Sequence, residues 1–250
     1  MNKSKGLKTG IIHQPHFLAW LGYFNKLANC DIYIVQDNVQ FRRAYFQNRT
    51  RIQNTQKEPI WFTIPIHSKR NTLIQDVRIA DKKWPENLTK TLLHSYGNEK
   101  FYGENIEFIN EIINKNRNKL FLSELNVELQ TEICDYLNIN CEFEFAHHFE
   151  KFKNPSDELI NICRKNNIQR YLFGEGGGVS YHGISPFRKN GIKISQQKFV
   201  SKFEKINNSI YPKSYEMSIL HYLFLIGKKE SEKIIKETWR IKTAHNNVYN

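Results

Sequence analysis

From Thr9 to Asp37 the chain runs through an extended stretch, a breaker, a helical stretch and a second extended stretch, and this succession constrains the fold more than any other feature. Thr9–Gln14 (TGIIHQ) has the composition of a short strand, halted by Pro15, whose nitrogen carries no hydrogen for a ladder. Ala19–Asn29 (AWLGYFNKLAN) places Trp20, Phe24 and Leu27 on one face at helical spacing. Asp31–Asp37 (DIYIVQD) is β-branched and aromatic, which suits a second, buried strand. Strand, helix and strand within about thirty residues make a βαβ unit, whose strands pair in parallel through a right-handed crossover.

The rest of the chain extends that plan into an α/β fold with a mostly parallel sheet. Trp61–Ile66 (WFTIPI) reads as a strand, with Pro65 marking an edge or an end. Glu86–Tyr96, Glu104–Phe121 and Ser123–Asn138 show apolar residues every three to four positions and read as helices, the last capped by Ser123. Cys141–Ala146 reads as a strand. Ser156–Asn166 reads as a helix with Ser156 as its N-cap and Asp157 and Glu158 at the positive end of its dipole. Arg170–Phe173 (RYLF) is a strand that runs into Gly174–Gly178, Gly191–Ile194 is a further strand, and Met217–Ile226 closes the fold as an apolar helix. There is no internal repeat and no linker rich in Pro, Gly or Ser. The expected organisation is one α/β domain over residues 10–240, with a helical insertion at about residues 84–138, between flexible ends at 1–9 and 241–250.

Composition enters where it excludes. With 40% apolar and 13% aromatic residues the chain has ample material for a core, which rules out wholesale disorder. The longest apolar stretches, such as Leu220–Ile226, fall far short of the roughly 20 residues that span a bilayer. Met1–Gly10 is short, basic and polar, with no apolar run for a signal sequence, so a cytoplasmic location without membrane insertion is expected. The four cysteines, Cys30, Cys134, Cys141 and Cys163, form no CxxC pair, and Cys134 and Cys163 sit in apolar-periodic segments as small buried hydrophobes. The net charge of +12 is spread along the chain rather than gathered with aromatics, so it points to long-range attraction of anionic partners more than to a nucleic-acid face.

The residues that could carry chemistry concentrate in the first third. His13, Gln14 and His16 lie where the first strand ends, and Asp37 and Gln40 lie where the second ends. In an open parallel sheet those positions share the carboxyl edge, where ligands bind. Asn48, Arg49 and Arg51 follow, and arginine suits a bidentate grip on phosphate. Taken singly, His13 could be a helix cap and Asp37 a local ion-pair partner; the convergence argues for a site. A second cluster is Gly174, Glu175, Gly176, Gly177 and Gly178, followed by Tyr181 and His182. It is either a strand-end turn or an anion nest that approaches a ligand closely, and it lacks both the P-loop and the dinucleotide spacings. His147, His148 and Glu150 match no metal-ligand signature, and no metal site is expected.

The same stretches resemble the WbqC-like family, whose opening signature reads approximately HQPxxLPWLGYF, then a strand ending LDxVQF, then QNRNRI. The matching residues are His13-Gln14-Pro15, Trp20-Leu21-Gly22-Tyr23-Phe24, Asp37 with Val39-Gln40-Phe41, and Gln47-Asn48-Arg49 with Arg51-Ile52. The likeness continues at Trp61–Ile66, at Tyr171–Gly178 with Tyr181, and at Ser218-Ile219-Leu220. Ala19, Gln36 and His221 depart from the family's proline, leucine and late aspartate. The resemblance implies a place in O-antigen or other surface-polysaccharide biosynthesis, and a transferase that moves an acyl or aminoacyl group to the amine of a nucleotide-linked sugar. On that expectation His13 is the general base, oriented by Asp37, while Gln14, His16, Gln40, Asn48, Arg49, Arg51, Glu175, Gly176, Gly177, Tyr181 and His182 bind substrate. The donor would be acyl-CoA or aminoacyl-tRNA, and no cofactor is expected. Two alternatives stay open: a nucleotidyl-transfer or ligase enzyme, loosely suggested by the His13–His16 turn, and a non-catalytic sugar-nucleotide-binding or scaffold protein.

Overall fold

A computed structural model describes residues 6–174, 183–199 and 216–237. The first strand, β1 (Thr9–His13), crosses through α1 (Leu21–Ala28) to β2 (Ile32–Val35), and the two strands pair in parallel with Gly10 opposite Ile32 and His13 opposite Val35. The βαβ expectation is met, and for the reason given: Pro15 ends the strand and the apolar face of α1 returns the chain across the sheet.

Beyond β2 the chain leaves the sheet. β3 (Arg49–Gln53) and β4 (Pro59–Thr63) form an antiparallel hairpin, and β5 (Ile66–His67) and β6 (Arg78–Ile79) form a second, shorter one. Then come α2 (Trp84–Tyr96), α3 (Tyr102–Lys115) and α4 (Leu122–Tyr136). The chain re-enters the sheet as β7 (Glu142–Phe145), follows α5 (Pro155–Lys165) to β8 (Arg170–Phe173), and after α6 (Ser185–Lys189) reaches β9 (Lys193–Gln196). The closing helix is α7 (Ile219–Lys236). The main sheet is five-stranded in the order β7-β2-β1-β8-β9, with every pairing parallel.

Alternation along the strands divides the core in two. Ile11, Tyr33, Val35 and Leu172 pack with α1, α2, α3, α4 and α7 on one face. Ile12, Ile32, Ile34 and Tyr171 pack with α5 and α6 on the other. The strand order therefore reverses between β1 and β8, where the crossovers pass to opposite faces, the position at which open parallel sheets bind ligands at their carboxyl edge. Among the described residues no helix is long and apolar enough to cross a membrane.

Several local expectations are corrected. Ser123 is not a cap: α4 starts after Phe121, and Ser123 sits inside its first turn with its hydroxyl 3.4 Å from Asp37. Asn154, not Ser156, caps α5, accepting from the Ser156 N–H at 3.0 Å, because Pro155 takes the first helical position where its missing N–H costs nothing. The α3 pattern stops at Lys115 rather than Phe121, where Asn116 turns its amide back onto the Ile112 carbonyl at 2.9 Å. The expected strand at Gly191–Ile194 lies slightly later, at Lys193–Gln196.

Candidate functional site

The segments leaving β1, β2, β7 and β8 meet at the carboxyl edge of the parallel sheet. His13 shares the parity of Ile11, so it points toward α1 and packs against His16 and Tyr23, with ring centroids 4.9 and 5.0 Å away. His16 lies 5.2 Å from Tyr23 and stacks on Phe46. The Tyr23 hydroxyl donates to the Gln14 carbonyl at 3.0 Å and lies 2.5 Å from that of Tyr33, which donates to the His13 carbonyl at 3.1 Å. Two buried phenols thus fix the backbone that carries both histidines.

The electrostatics change the role expected of His13. Its Nδ1 lies 2.9 Å from the Gln14 carbonyl, so the proton sits on Nδ1 and Nε2 is left as an acceptor. Burial, with Lys26 adding repulsion, pulls its pKa down to about 3. His16 is likewise held well below the usual imidazole range by burial, by His13 and by Lys26, and neither of its ring nitrogens has a partner. Both rings are neutral at pH 7. A neutral imidazole can hydrogen-bond and polarise, but one this acidic when protonated has little drive to take a proton from an ammonium.

Lys26 was not expected here. Every residue of α1 from Leu21 to Leu27 is buried, and Lys26 is only 4% exposed. Helical side chains lean toward the helix N-terminus, which carries its ammonium back up to the carboxyl edge. Its Nζ lies 5.4 Å from the Tyr23 ring centroid, and a Cβ placed on Gly174, just after β8, would lie 3.6 Å from it. Burial lowers its pKa to about 8. The sequence carried a signal that periodicity analysis passes over: Lys26 is the one formally charged residue between His16 and Asp31.

Asp37 sits next along the edge, and its partner differs from the one expected. The β2–β7 register sets Val35 opposite Phe145, so Asp37 and His147, each two residues further on, come side by side. His147 Nδ1 donates to Asp37 Oδ2 at 2.7 Å, while Asp37 itself is 1% exposed. Asp37 therefore orients His147 rather than His13, and its Oδ1 is buried without a partner. Residues Ala146–His148 form a 3₁₀ turn, so the two histidine rings lie 4.4 Å apart instead of on opposite faces of a strand, and His148 pairs with Glu144 at 2.6 Å. The pair opens onto a cleft of about 620 Å³ lined by Gln75, Lys119, Ser123, Glu128 and both histidines.

The remaining expected residues divide. Gln14 stays with the histidines, its Oε1 accepting from Gln47 at 2.8 Å. Arg49 stacks on Trp61 at 3.9 Å and donates to the Ala44 carbonyl; Arg51 lies 4.8 Å over the same ring and pairs with Glu216. The cross-strand register of the β3–β4 hairpin, which sets Arg51 opposite Trp61, explains the stack. Trp61 in turn meets Phe46, which stacks on His16, so Arg49 reaches the histidines only through aromatic rings. Asn48 is structural, tying the hairpin with a 2.9 Å bond to the Ile64 carbonyl. Gln40 is exposed, bonded to Asn71, and borders a separate basic cleft of about 590 Å³ with Arg42, Arg43, Lys69 and Arg70. Glu175, Gly176, Gly177, Tyr181 and His182 lie outside the described residues.

With this geometry in place, comparison with known proteins decides the family. The WbqC-like protein family matches residues 14–233, nearly the whole chain and all of the edge described above except His13 itself. The chain belongs to the WbqC-like protein family. It is also similar to the uncharacterised protein Rv1507c of Mycobacterium tuberculosis, with 26% identity over 230 residues, covering 88% of this chain and 95% of that protein. No solved structure matches. The WbqC-like signature residues thus divide between two structural tasks: His13, Gln14 and Asp37 reach the sheet edge, whereas Asn48, Arg49 and Arg51 build the hairpin that flanks it.

Proposed function

We propose that this WbqC-like protein is a transferase that moves an acyl or aminoacyl group to the amine of a nucleotide-linked sugar. The observation that carries the reading is the Asp37–His147 pair. A fully buried carboxylate holds one face of a half-exposed imidazole, whose other nitrogen is free to act as an acceptor at an open cleft. That is what an attacking sugar ammonium requires. Nε2 of His147 takes one proton from the ammonium, the freed amine nitrogen bonds to the acyl carbonyl carbon, and as the carbonyl re-forms the C–S bond to coenzyme A or the C–O bond to the tRNA ribose breaks, the second nitrogen proton passing to the departing sulfur or oxygen. The base role passes to His147; at the neighbouring strand end Nε2 of the neutral His13 is an acceptor for a sugar hydroxyl, and the Gln14 side-chain amide is a donor for the developing oxyanion. The resemblance to proteins of surface-polysaccharide clusters supplies the substrate class, an amino sugar on a nucleoside diphosphate.

The test is product mass. Wild-type protein is incubated with UDP- and dTDP-linked amino sugars and a panel of acyl-CoA and aminoacyl-tRNA donors. His147→Asn should fold and bind but lose about 10²–10⁴-fold in turnover, the contribution of a positioned base. Equal turnover in the variant removes His147 from the chemistry, and no product from wild type with any donor removes the transferase reading.

A further inference from the structure

We propose that His13, His16 and Lys26 form a binding centre for the phosphate oxyanions of a nucleoside diphosphate. The inference draws the identity of its ligand from the transferase reading, but the centre itself rests on three features of the fold.

The first is position. The strand order reverses between β1 and β8, the position at which open parallel sheets bind ligands, and Lys26 lies there, within electrostatic reach of His13 at the end of β1 and close to Gly174 at the end of β8. The second is the missing partner. His16 is 2% exposed, yet neither Nδ1 nor Nε2 has a hydrogen-bond partner. Lys26 is 4% exposed, and among the described residues it has a cation–π contact with Tyr23 and no ion pair. Buried polar groups are ordinarily satisfied and buried charges ordinarily paired. The third is sign. Among the described residues, the titratable groups that act on or touch Lys26 are His13 and His16 on the β1 side and Tyr23 and Cys30 on and just after its own helix. None of these is an anion at neutral pH, because burial holds both imidazoles neutral and raises the Tyr23 phenol and the Cys30 thiol. Three basic groups converge, and among the described residues no carboxylate is paired with any of them.

Such a centre wants a ligand that brings negative charge and several acceptor oxygens together, and a diphosphate does both. Bound there, it would complete the unpartnered His16 and neutralise Lys26. It would also hold protons on the cluster, because an adjacent anion favours the charged form of each base.

Isothermal titration calorimetry of the full chain with UDP, dTDP and GDP tests this between pH 7 and pH 9, where the terminal phosphate is largely ionised, and methylene diphosphonate run alongside reports any change that belongs to the nucleotide base. At least one of the nucleotides should bind wild type. Its affinity should fall about tenfold from pH 7 to pH 9, as the protonated fraction of free Lys26 falls through its pKa of about 8. Lys26→Met should weaken binding at pH 7 by about tenfold or more and flatten that pH dependence. His16→Phe, which keeps the stack on Phe46 and removes both nitrogens, should weaken binding by about tenfold. The centre is refuted if none of the nucleotides binds wild type, or if both variants bind with unchanged affinity. Product formation is read separately, so loss of turnover in His147→Asn with nucleotide binding intact leaves this centre standing. An absence of product from wild type that still binds UDP overturns the transferase reading alone.

Discussion

Lys26→Met should make the protein more stable while damaging what it does. The lysine pKa falls from 10.5 to about 8 in the folded chain, mainly through burial. At about 1.36 kcal/mol per pH unit, the buried ammonium costs roughly 3 kcal/mol at pH 7 relative to an exposed one. Lys26 is only 4% exposed, so solvent screening does not erode that figure. Methionine matches its length, has no charge to desolvate and suits a site lined by Tyr23 and neighbouring apolar groups. The gain for a chain of this size corresponds to roughly 6–12 °C in melting temperature. The sign of the pH dependence follows from linkage. As pH rises, folded Lys26 releases its proton first, near 8, and the unfolded chain near 10.5. Between those values the unfolded state binds more protons, so wild-type stability rises relative to the variant. The advantage of the variant should therefore shrink from roughly 3 kcal/mol at pH 7 to about 1–2 kcal/mol at pH 9.5. Urea unfolding of both proteins at the two pH values measures it. A variant no more stable than wild type, or an advantage that does not change with pH, would refute the idea that Lys26 is a buried, uncompensated cation.

His221 should give a dependence of the same sign in a more acidic window. Burial holds it down to about 4, so the stability it contributes is present above 6.5 and is lost as pH falls toward 4; that loss, at most about 3 kcal/mol, should shrink in His221→Gln when unfolding is compared at pH 7 and pH 4.5. The Cys30 and Cys141 sulfurs lie 3.3 Å apart, so diamide should remove two thiols by forming an intrachain disulfide that Cys30→Ser prevents, while Cys134 and Cys163, both buried, react with a thiol reagent only on unfolding.

What the sequence shows of this fold depends on whether the determining contacts are local. The β1–α1–β2 unit is legible because Pro15, the spacing of Phe24 and Leu27, and the β-branched run of β2 act within a few residues of one another. The β3–β4 hairpin is not, because Arg49 and Arg51 alternate with Thr50 and Ile52 and their charge reads as site chemistry; only the cross-strand Trp61 shows that both guanidiniums are stacked on a ring. Asp37 is legible as an edge residue but its partner is not, since His147 reaches it only through the register of a strand that joins the sheet after three intervening helices.

The histidines and the lysine at the β1–β8 edge are the instructive case. His13 and His16 stand out by residue type, and their ordinary pKa suggests a base; burial, which no motif displays, makes them neutral instead. Lys26 looks like the solvent side of a short helix, yet α1 has no solvent side, because α7 packs against it and Gln197 donates to the Gly22 carbonyl at 2.8 Å. A helix buried on every face normally rejects a cation, since methionine or leucine would serve the core better. A lysine there is a charge from which the fold gains nothing, and ionisable groups perturbed by burial in this way cluster at binding and reacting sites. The two lysine experiments therefore converge on one claim: the substitution that raises the melting temperature should be the one that lowers nucleotide affinity. A Lys26→Met variant that is more stable and binds equally well would separate the two and return Lys26 to the core.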